Sequence, residues 1–312
     1  MPVPTPTPSL TDSALVDRLE PSTDTVRMVL DTDAYNEIDD QFAVVYALGA
    51  PSLEVEALYA APFDNDRSSG PADGMRKSAA ELERLLERAS NAPSADGFVF
   101  EGSESYLSGP GDPVESPAAR DLVDRAREHD ASLPLYVVAI GCPVTVASAL
   151  LLEPSIREEI VVVWLGGHPH GWHTAAEFNL SQDLHAARVL LDSGVPLVQI
   201  PCKNVAEHVK TTVPELSARL EGHSPLGTYL YETVADYGGA DRPWWGKEVW
   251  DLAAVAWAAD PSLVPSHLTA SPVLTDDQTW SRDPTRHPIR VARDADRDGI
   301  FRAFHDALAE IA

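Results

Sequence analysis

The chain has 312 residues, enough to bury one large core or two smaller ones, and its net charge of −26 comes from 49 acidic and 23 basic residues. A protein that binds nucleic acid needs a positive surface to displace the counterions of the phosphates, so this charge excludes nucleic acid as a partner. The sequence contains no run of about 20 apolar residues that could cross a bilayer and no signal peptide, which predicts a cytoplasmic protein with no membrane partner.

An acidic surface of this kind stays hydrated in concentrated salt, and we therefore predict a halophilic source. The two cysteines, Cys142 and Cys202, lie in apolar segments and show neither the spacing of a metal site nor a disulfide framework. We expect both to be buried free thiols.

The first part of the chain predicts a tail and a short helix, followed by alternating strands and helices. Residues 1–24 are expected to form a Pro/Thr-rich tail and a helix over 10–19, ahead of one domain over 25–312. Apolar periodicity predicts strands over 26–30, 53–60 and 97–100, and helices from about Ile38, over 73–89 and over 117–128.

The middle of the chain continues this alternation. Strands are predicted over 135–140, 160–165 and 195–200, and helices over 144–152 and 183–191. Because several of these strands are continuous apolar runs, we predict a Rossmann-like α/β fold, a single domain with a mostly parallel central sheet flanked by helices. Ligands of such sheets bind beyond the carboxyl ends of the strands, where four short polar or glycine-containing segments fall: 31–33, 64–65, 140–141 and 166–167.

Four aspartates lie within ten residues at a predicted strand-to-helix turn: Asp31, Asp33, Asp39 and Asp40. Without a counter-charge they would repel one another, and a hard divalent cation that prefers oxygen ligands would relieve this repulsion. A helix N-terminus alone also favours anions, but it accounts only for Asp39 and Asp40. An Asp-x-Asp pair after an apolar strand also opens phosphatases of the haloacid dehalogenase kind, which do not need the adjacent pair Asp39-Asp40.

Five segments of the chain resemble, in order, the motifs of nucleoside hydrolases. Residues 31–40 look like the DxDxGxDD motif with two extra residues, and Asn65 stands where the family has a GN pair. The other three are 138–147, which resembles TGPLTNxA, 163–187, which resembles MGG…EFNxxxDPxAA, and 249–253, which stands where the family has HDxxA. The resemblance implies a nucleoside hydrolase-like catalytic domain that hydrolyses the N-glycosidic bond of a ribonucleoside or related N-riboside, in a homodimer or homotetramer.

The resemblance also implies roles for individual residues. A Ca²⁺ ion would be held by Asp33, Asp40, Asp251 and the main-chain carbonyl of Ile140, where the family has Thr. Asp33 would also be the general base that takes a proton from the attacking water. The ribose hydroxyls would be bound by Asp39, Asn65, Glu177 and Asn179.

The chain departs from the family pattern on the side of the leaving base. Trp250 stands where many members have the histidine that protonates this base, so the acid has to come from elsewhere. The candidates are His168, His170, His173, Tyr229, Tyr231 and Lys247. The two-residue insertion, which brings residues 35–37 near the pocket, and Arg67 also alter this side. A ribose-recognising protein without catalysis is the alternative if no acid is present.

Tryptophans near these positions could stack on a flat base. Trp245 or Trp172 is predicted to face the base, together with Trp250. Trp257 follows Trp250 by seven residues on the same predicted helix and is expected to belong to the core.

Overall fold

A computed structural model of the chain describes residues 10–22, 24–129, 133–239 and 241–312, so the predicted tail at residues 1–9 lies outside the described part. The α-helices are α1 (Asp12–Leu19), α2 (Asp40–Gly49), α3 (Pro71–Arg88), α4 (Pro117–Ala126), α5 (Val144–Leu152), α6 (Phe178–Gln182), α7 (Leu184–Asp192), α8 (Val213–Arg219), α9 (Pro225–Val234), α10 (Leu252–Ala259) and α11 (Arg297–Ile311). The strands are β1 (Val26–Thr32), β2 (Leu53–Ala60), β3 (Val99–Glu101), β4 (Leu135–Ala139), β5 (Ile160–Leu165), β6 (Leu197–Ile200), β7 (Lys210–Thr212), β8 (Gly246–Glu248), β9 (Ser266–Ala270), β10 (Val273–Leu274), β11 (Trp280–Ser281) and β12 (Pro288–Ala292). Within the described residues, no helix has both the length and the apolar character needed to span a membrane.

The central sheet has eight strands in the order β3-β2-β1-β4-β5-β6-β12-β9. Neighbouring strands run parallel except at the edge, where β9 pairs antiparallel with β12. The predicted α/β fold with a mostly parallel sheet is therefore confirmed. The strand order reverses between β1 and β4, and the crevice beyond the carboxyl ends of such a pair is where open parallel sheets bind their ligands.

Two apolar layers cover the two faces of the sheet. Leu30 and Val138 belong to the layer under α2, α10 and α11, whereas their chain neighbours Val29 and Val137 belong to the layer under α4, α5 and α7. Successive side chains of a strand point to opposite faces, so strands covered on both faces read as continuous apolar runs. β5 is such a run, and the sequence predicts its bounds correctly; the bounds of β2, whose first half alternates apolar and acidic residues, are also predicted correctly.

Helices α2 and α10 are buried along most of their length, and each has an aspartate at its N-terminus. Helix α2 starts at Asp40 and packs on α11 through Phe42 and Phe304, whose ring centroids lie 5.3 Å apart. Gly49 allows the close approach, because a Cβ there would lie 2.0 Å from a main-chain oxygen of α11. Asp251 is the N-cap of α10. Two buried helices therefore each present an aspartate at their N-terminus.

The structure corrects two predicted elements. Trp250 lies in the turn before α10 rather than on one helix with Trp257, because its main-chain N–H donates to Oδ2 of Asp39 at 3.1 Å. Trp257 is buried in the core, as expected. The strand predicted over 97–100 begins at Val99, two residues later than predicted, because Gly97 adopts a turn with a φ of +74°.

Candidate metal centre and substrate cavity

Three buried carboxylates meet at the crevice between β1 and β4. Asp39, Asp40 and Asp251 each place a side-chain oxygen within 4.8 Å of the others. They arrive there from distant parts of the chain because α2 and α10 pack against each other and begin at the same place. The N-terminus of a helix carries partial positive charge, so both helix ends stabilise anions. The group offers only oxygen atoms, the ligands that hard divalent cations prefer.

Asp33, at the end of β1, adjoins this group through a hydrogen bond between its carboxyl and that of Asp40. Thr32 Oγ1 donates a further hydrogen bond to Asp40 Oδ1 at 2.5 Å. The tight group thus contains Asp39, which the family resemblance assigns to ribose, while Asp33 lies beside it. Oδ2 of Asp33 is buried and has no hydrogen-bond partner among the described residues. An orphaned carboxylate oxygen beside three other carboxylates fits a cation ligand.

The electrostatics of the group also fit a cation. Burial, followed by the charge of Asp39, raises the pKa of Asp40 to about 8. Burial raises the pKa of Asp39 to about 6, against the opposing charge of Lys247. Burial and the neighbouring aspartates raise the pKa of Asp33 and of Asp251 well above their ordinary values. A raised pKa means that a carboxyl tends to keep its proton, and a bound divalent cation would displace such protons.

Asp31 does not join the other aspartates, which corrects the predicted cluster of four. Its side chain lies beside Tyr59 and Thr145, on the face of β1 opposite that of Thr32, whose hydroxyl bonds to Asp40, whereas Asp33 follows the end of the strand. Burial raises the pKa of Asp31 to about 8, and the Thr145 hydroxyl offsets part of this rise. The distant Asp251 instead completes a set of four carboxylates with Asp33, Asp39 and Asp40.

The end of β4 and the start of α6 form another wall of the crevice. The Ile140 carbonyl accepts a hydrogen bond from Nδ2 of Asn179 at 2.9 Å and retains a second lone pair for another partner. Glu177 accepts hydrogen bonds from three main-chain N–H groups, those of Gly167, Asn179 and Leu180, at 2.9, 3.0 and 3.2 Å. Gly167 reaches Glu177 with a φ of +70°, a conformation that favours glycine. The Glu177 carboxylate is therefore fixed in place.

These groups surround a cavity of about 550 Å³, hereafter the substrate cavity. Pockets for small molecules span roughly 300–1,000 Å³, so a nucleoside-sized ligand fits. The predicted site residues that line it are Asp33, Asp39, Asn65, Ile140, Glu177, Asn179, Trp250 and Asp251. Asp40 lies behind them. Trp245 stacks on Tyr237 with ring centroids 6.4 Å apart, and it is Tyr237 that lines the cavity.

Among the candidates for the leaving-group acid, His168 lines the substrate cavity. The residue is 8% exposed, and its ring packs on Trp172 at a centroid distance of 5.3 Å. Burial, followed by the charge of Lys203, lowers the pKa of His168. The imidazole is therefore neutral at pH 7 and has one N–H to donate.

The other candidates have partners elsewhere. His170 bonds to Gln199 and lines a different cavity, His173 stacks on Trp172, Tyr229 donates to Glu81, Tyr231 packs on the core, and Lys247 pairs with Glu37. Position favours His168, although its role stays a prediction.

The substrate cavity also contains residues that the sequence did not single out for binding, among them Asp66, Lys203 and Tyr237. Lys203 follows β6 at the same edge of the sheet as the other site residues, so the strand-end rule could have found it. Its ammonium lies 5.0 Å from the ring centroid of Trp250. Tyr237 lies in an irregular segment after α9, where no pattern marks it. Cys202, also in the cavity wall, and Cys142 are buried free thiols, as predicted.

One side of the cavity is lined by Glu37, Arg67 and Tyr237. Together with Lys247, which lies behind Glu37, we call these residues the rim. Arg67 Nη1 donates to the Glu37 carbonyl at 3.0 Å, and its guanidinium lies 4.3 Å from the ring centroid of Tyr35. The carboxylate of Glu37 accepts from Lys247 at 2.5 Å and from the Tyr237 hydroxyl at 3.2 Å. The insertion and Arg67 therefore contact each other beside the cavity.

Comparison with known proteins identifies the family. The family model described as inosine-uridine preferring nucleoside hydrolase matches residues 28–302. The pyrimidine-specific ribonucleoside hydrolase RihA of Salmonella paratyphi A is 26% identical over 248 residues, which cover 72% of this chain and 77% of that protein. A plant nucleoside hydrolase has a similar structure, with a TM-score of 0.71 and 22% identity over 91% of this chain and 99% of that one. An inosine-guanosine nucleoside hydrolase also has a similar structure, with a TM-score of 0.72 and 18% identity over 92% of this chain and 100% of that one.

The residues matched by the family model include Asp39, Asp40 and Asp251 and the whole wall of the substrate cavity. The buried group of Asp39, Asp40 and Asp251 is consistent with a metal site typical of the family. A haloacid dehalogenase-like phosphatase, the alternative reading of the Asp-x-Asp pair, finds no support in this match. The chain belongs to the inosine-uridine preferring nucleoside hydrolase family, whose enzymes act on N-glycosidic bonds.

Proposed function

We propose that this chain hydrolyses the N-glycosidic bond of a ribonucleoside or a related N-riboside, with Ca²⁺ as its cofactor. The observation that carries the proposal is the buried group of Asp39, Asp40 and Asp251 beside the substrate cavity. Ca²⁺ suits the site because it takes several oxygen ligands in a flexible geometry, and carboxylate and carbonyl oxygens are what the site offers.

The residues that would hold the ion are Asp33, Asp40, Asp251 and the carbonyl of Ile140. When bound, the ion anchors sugar hydroxyls and lowers the pKa of a water molecule. Asp33, whose Oδ2 has no partner among the described residues, takes the proton from the water that attacks the anomeric carbon. The carboxylates around it stabilise the positive charge that develops on an oxocarbenium-like sugar.

The ribose is proposed to lie against the wall formed by Asp39, Asn65, Glu177 and Asn179, all of which line the cavity. Main-chain hydrogen bonds hold Glu177, and Asn179 donates to two main-chain carbonyls, so both side chains are oriented before a substrate arrives. Such preorganisation lowers the entropic cost of binding. Trp250 is proposed to face the base, with Trp245 supporting Tyr237 on the same side.

We assign assistance to the leaving base to His168. This residue lies in the cavity wall, and Trp172 holds the orientation of its ring. Because burial lowers its pKa, the side chain would act as a neutral N–H donor to the departing base. This arrangement would replace the histidine that many family members have at the position of Trp250.

An assay with four nucleosides tests the proposal. RihA is described as pyrimidine-specific and the solved relative as an inosine-guanosine hydrolase, so both base classes have to be offered. The chain would be incubated with inosine, uridine, adenosine and nicotinamide riboside in Ca²⁺ and high salt, and reducing sugar measured. We expect release of ribose from at least one substrate and its loss in Asp33→Asn.

The second candidate function is recognition of ribose without catalysis. The observation that favours it is Trp250 at the position of the family's acid. This alternative predicts that no nucleoside is cleaved while ribose still binds in the presence of Ca²⁺, which calorimetric titration would show.

We further propose a homodimer or homotetramer and adaptation to high salt, in keeping with the net charge of −26. Sedimentation velocity in concentrated KCl would give the subunit number. A monomer under conditions that preserve activity would exclude the proposed assembly.

A further inference from the structure

A second cavity of about 640 Å³ lies on the other side of the loop that begins at His168. Its described lining residues come from β9, β12, the segment after β6 and the loop that follows β11, and none of them lines the substrate cavity. The loop carries His168 on one cavity and His170 on the other. The second cavity is therefore separate from the proposed catalytic site.

The charged groups of this cavity differ from those of the rest of the chain. The chain has 49 acidic and 23 basic residues, yet two arginines and two histidines line this cavity beside a single aspartate: Arg282, Arg293, His170, His267 and Asp283. Asp283 is engaged in its own turn, where Oδ1 accepts from the main-chain N–H and the hydroxyl of Thr285 at 2.9 and 2.6 Å. Burial lowers the pKa of His170, so the positive charge of this cavity comes from the two arginines, and two cations beside one engaged carboxylate attract anions.

The two arginines are free to bind such an anion. Among the described residues, neither Arg282 nor Arg293 has a carboxylate within 4.0 Å, whereas the nearby Arg286 pairs with Asp192. A guanidinium presents several N–H groups in a planar fork, which matches the oxygens of a phosphoryl group. The geometry thus leaves two suitable donors facing one cavity.

His170 connects the second cavity to the substrate cavity. Its Nε2 bonds with Oε1 of the buried Gln199 at 2.8 Å, and Nε2 of Gln199 donates to the Gly166 carbonyl at 2.9 Å. The next residue, Gly167, donates its N–H to Glu177 at 2.9 Å. A ligand beside His170 would therefore contact a chain of hydrogen bonds that ends at the wall of the substrate cavity.

The size and the remaining walls indicate what else the ligand carries. A volume of about 640 Å³ exceeds that needed by a lone phosphate and lies in the range of small-molecule pockets, roughly 300–1,000 Å³. The uncharged walls are mostly apolar: Val205, Ala270, Pro272, Pro284, Val291 and Ala292. We propose that the second cavity binds a phosphorylated small molecule of sugar size, with its phosphoryl group held by Arg282 and Arg293. This site does not depend on the proposed hydrolase activity.

Calorimetric titration of the full chain with ribose 5-phosphate, inorganic phosphate and ribose tests this site. We expect saturable binding of ribose 5-phosphate, tighter than that of inorganic phosphate, because its sugar adds contacts with the cavity wall, where Asn204 and Thr269 can pair with hydroxyl groups. The double variant Arg282→Gln/Arg293→Gln should weaken this binding by at least about tenfold, since it removes both donors of charge-assisted hydrogen bonds to the phosphoryl group. Arg302→Gln, at an exposed position of α11, is the matched control and should keep the wild-type affinity.

Ribose 5-phosphate also carries a ribose, so binding in the substrate cavity has to be distinguished. Asp40→Ala, checked for folding by circular dichroism, should keep the affinity for ribose 5-phosphate. Loss of binding in Asp40→Ala, unchanged binding in the double arginine variant, or binding of inorganic phosphate but not of the sugar phosphate would each overturn the proposal.

Discussion

The aspartate group and the rim face the same substrate cavity but are held in different ways. Asp40 and Asp251 stand at the starts of two buried helices, so the packing of α2 and α10 fixes their separation. In the rim, Glu37 and Arg67 lie on partly exposed loops, where Arg67 donates to the Glu37 carbonyl and Lys247 pairs with the Glu37 carboxylate. The proposed chemistry therefore depends on core packing. The proposed base preference depends on loop contacts, which can change without disturbing the core.

The largest expected effect is that of Asp33→Asn in the aspartate group. Removal of a general base costs about 10²–10⁴-fold in rate, so kcat should fall by this factor. Affinity for ribose should be largely retained, because the amide keeps the size of the side chain. Steady-state kinetics and calorimetric titration with ribose measure the two quantities. Glu37→Gln in the rim is the control and should keep most of kcat; full turnover in Asp33→Asn would remove the base assignment.

His168→Gln tests the wall between the aspartate group and the rim. If the neutral His168 donates a hydrogen bond to the leaving base, kcat should fall by about 10²-fold for nucleosides, the lower end of the effect of removing one such donor. The loss should be small for an activated aryl riboside, whose leaving group departs without a proton. His173→Gln, on the same loop and stacked on Trp172, is the matched control. Equal losses for both kinds of substrate would point to a structural role instead.

Asp40→Ala tests whether the aspartate group binds the cation. At a free Ca²⁺ concentration of about 100 times Kd, bound metal stabilises the folded state by about 2.7 kcal/mol. We expect this gain in the free energy of unfolding for the wild type and its loss in Asp40→Ala, measured by urea unfolding with and without Ca²⁺. Asp66→Ala removes an exposed carboxylate of the same cavity and should keep the gain. The same gain in Asp40→Ala would exclude the proposed site.

The pH dependence of stability separates the buried group from exposed carboxylates. In the metal-free chain, burial raises the pKa of Asp40 to about 8 and that of Asp39 to about 6, above the unfolded value of about 3.9. The folded state then binds more protons than the unfolded state, so its stability falls as the pH rises from about 4 to about 8. Ca²⁺ should remove most of this loss. Thermal unfolding at pH 5, 7 and 8.5 measures it, and a metal-free protein that gains stability over this range would contradict the electrostatic account.

The smallest expected effect belongs to the rim. The guanidinium of Arg67 stacks on Tyr35 and stands beside the proposed base position, and such cation–π contacts are worth about 0.5–1 kcal/mol at exposed sites. Arg67→Gln should therefore change KM by a few fold, differently for purine and pyrimidine substrates, and leave kcat near the wild type. Arg88→Gln, whose guanidinium stacks on Tyr229 outside the cavity wall, should change neither. A large fall in kcat in Arg67→Gln would mean that the rim takes part in the chemistry.

The two regions also differ in how much of them the sequence predicts. The strand-to-helix turn at Asp33–Asp40 follows from apolar runs and an acidic motif, because both are local in the sequence. Asp251 lies 211 residues beyond Asp40 and joined the prediction only through the family resemblance. Asp31 stays apart because its position within β1 directs it to the side of Tyr59 and Thr145, whereas Asp33 lies beyond the strand end beside Asp40, although their closeness in sequence suggests one cluster.

Two residues of the cavity wall, Lys203 and Tyr237, show why the sequence does not predict every residue of the site. Lys203 follows β6, and its position at the strand end is readable, but the contact of its ammonium with Trp250 depends on a turn that the sequence misplaced onto a helix. Tyr237 reaches the cavity from an irregular segment after α9, where Gly238 adopts a φ of +115°. Side-chain directions in such segments depend on tertiary packing rather than on periodicity.

A crystal structure of the chain grown with Ca²⁺ and ribose would show directly whether the aspartates bind an ion that also contacts the sugar. The ion would be located by its anomalous scattering. We predict one ion bound by Asp33, Asp40, Asp251 and the carbonyl of Ile140, with ribose hydroxyls completing its coordination. An ion bound elsewhere, or these carboxylates too far apart to share one, would contradict the account.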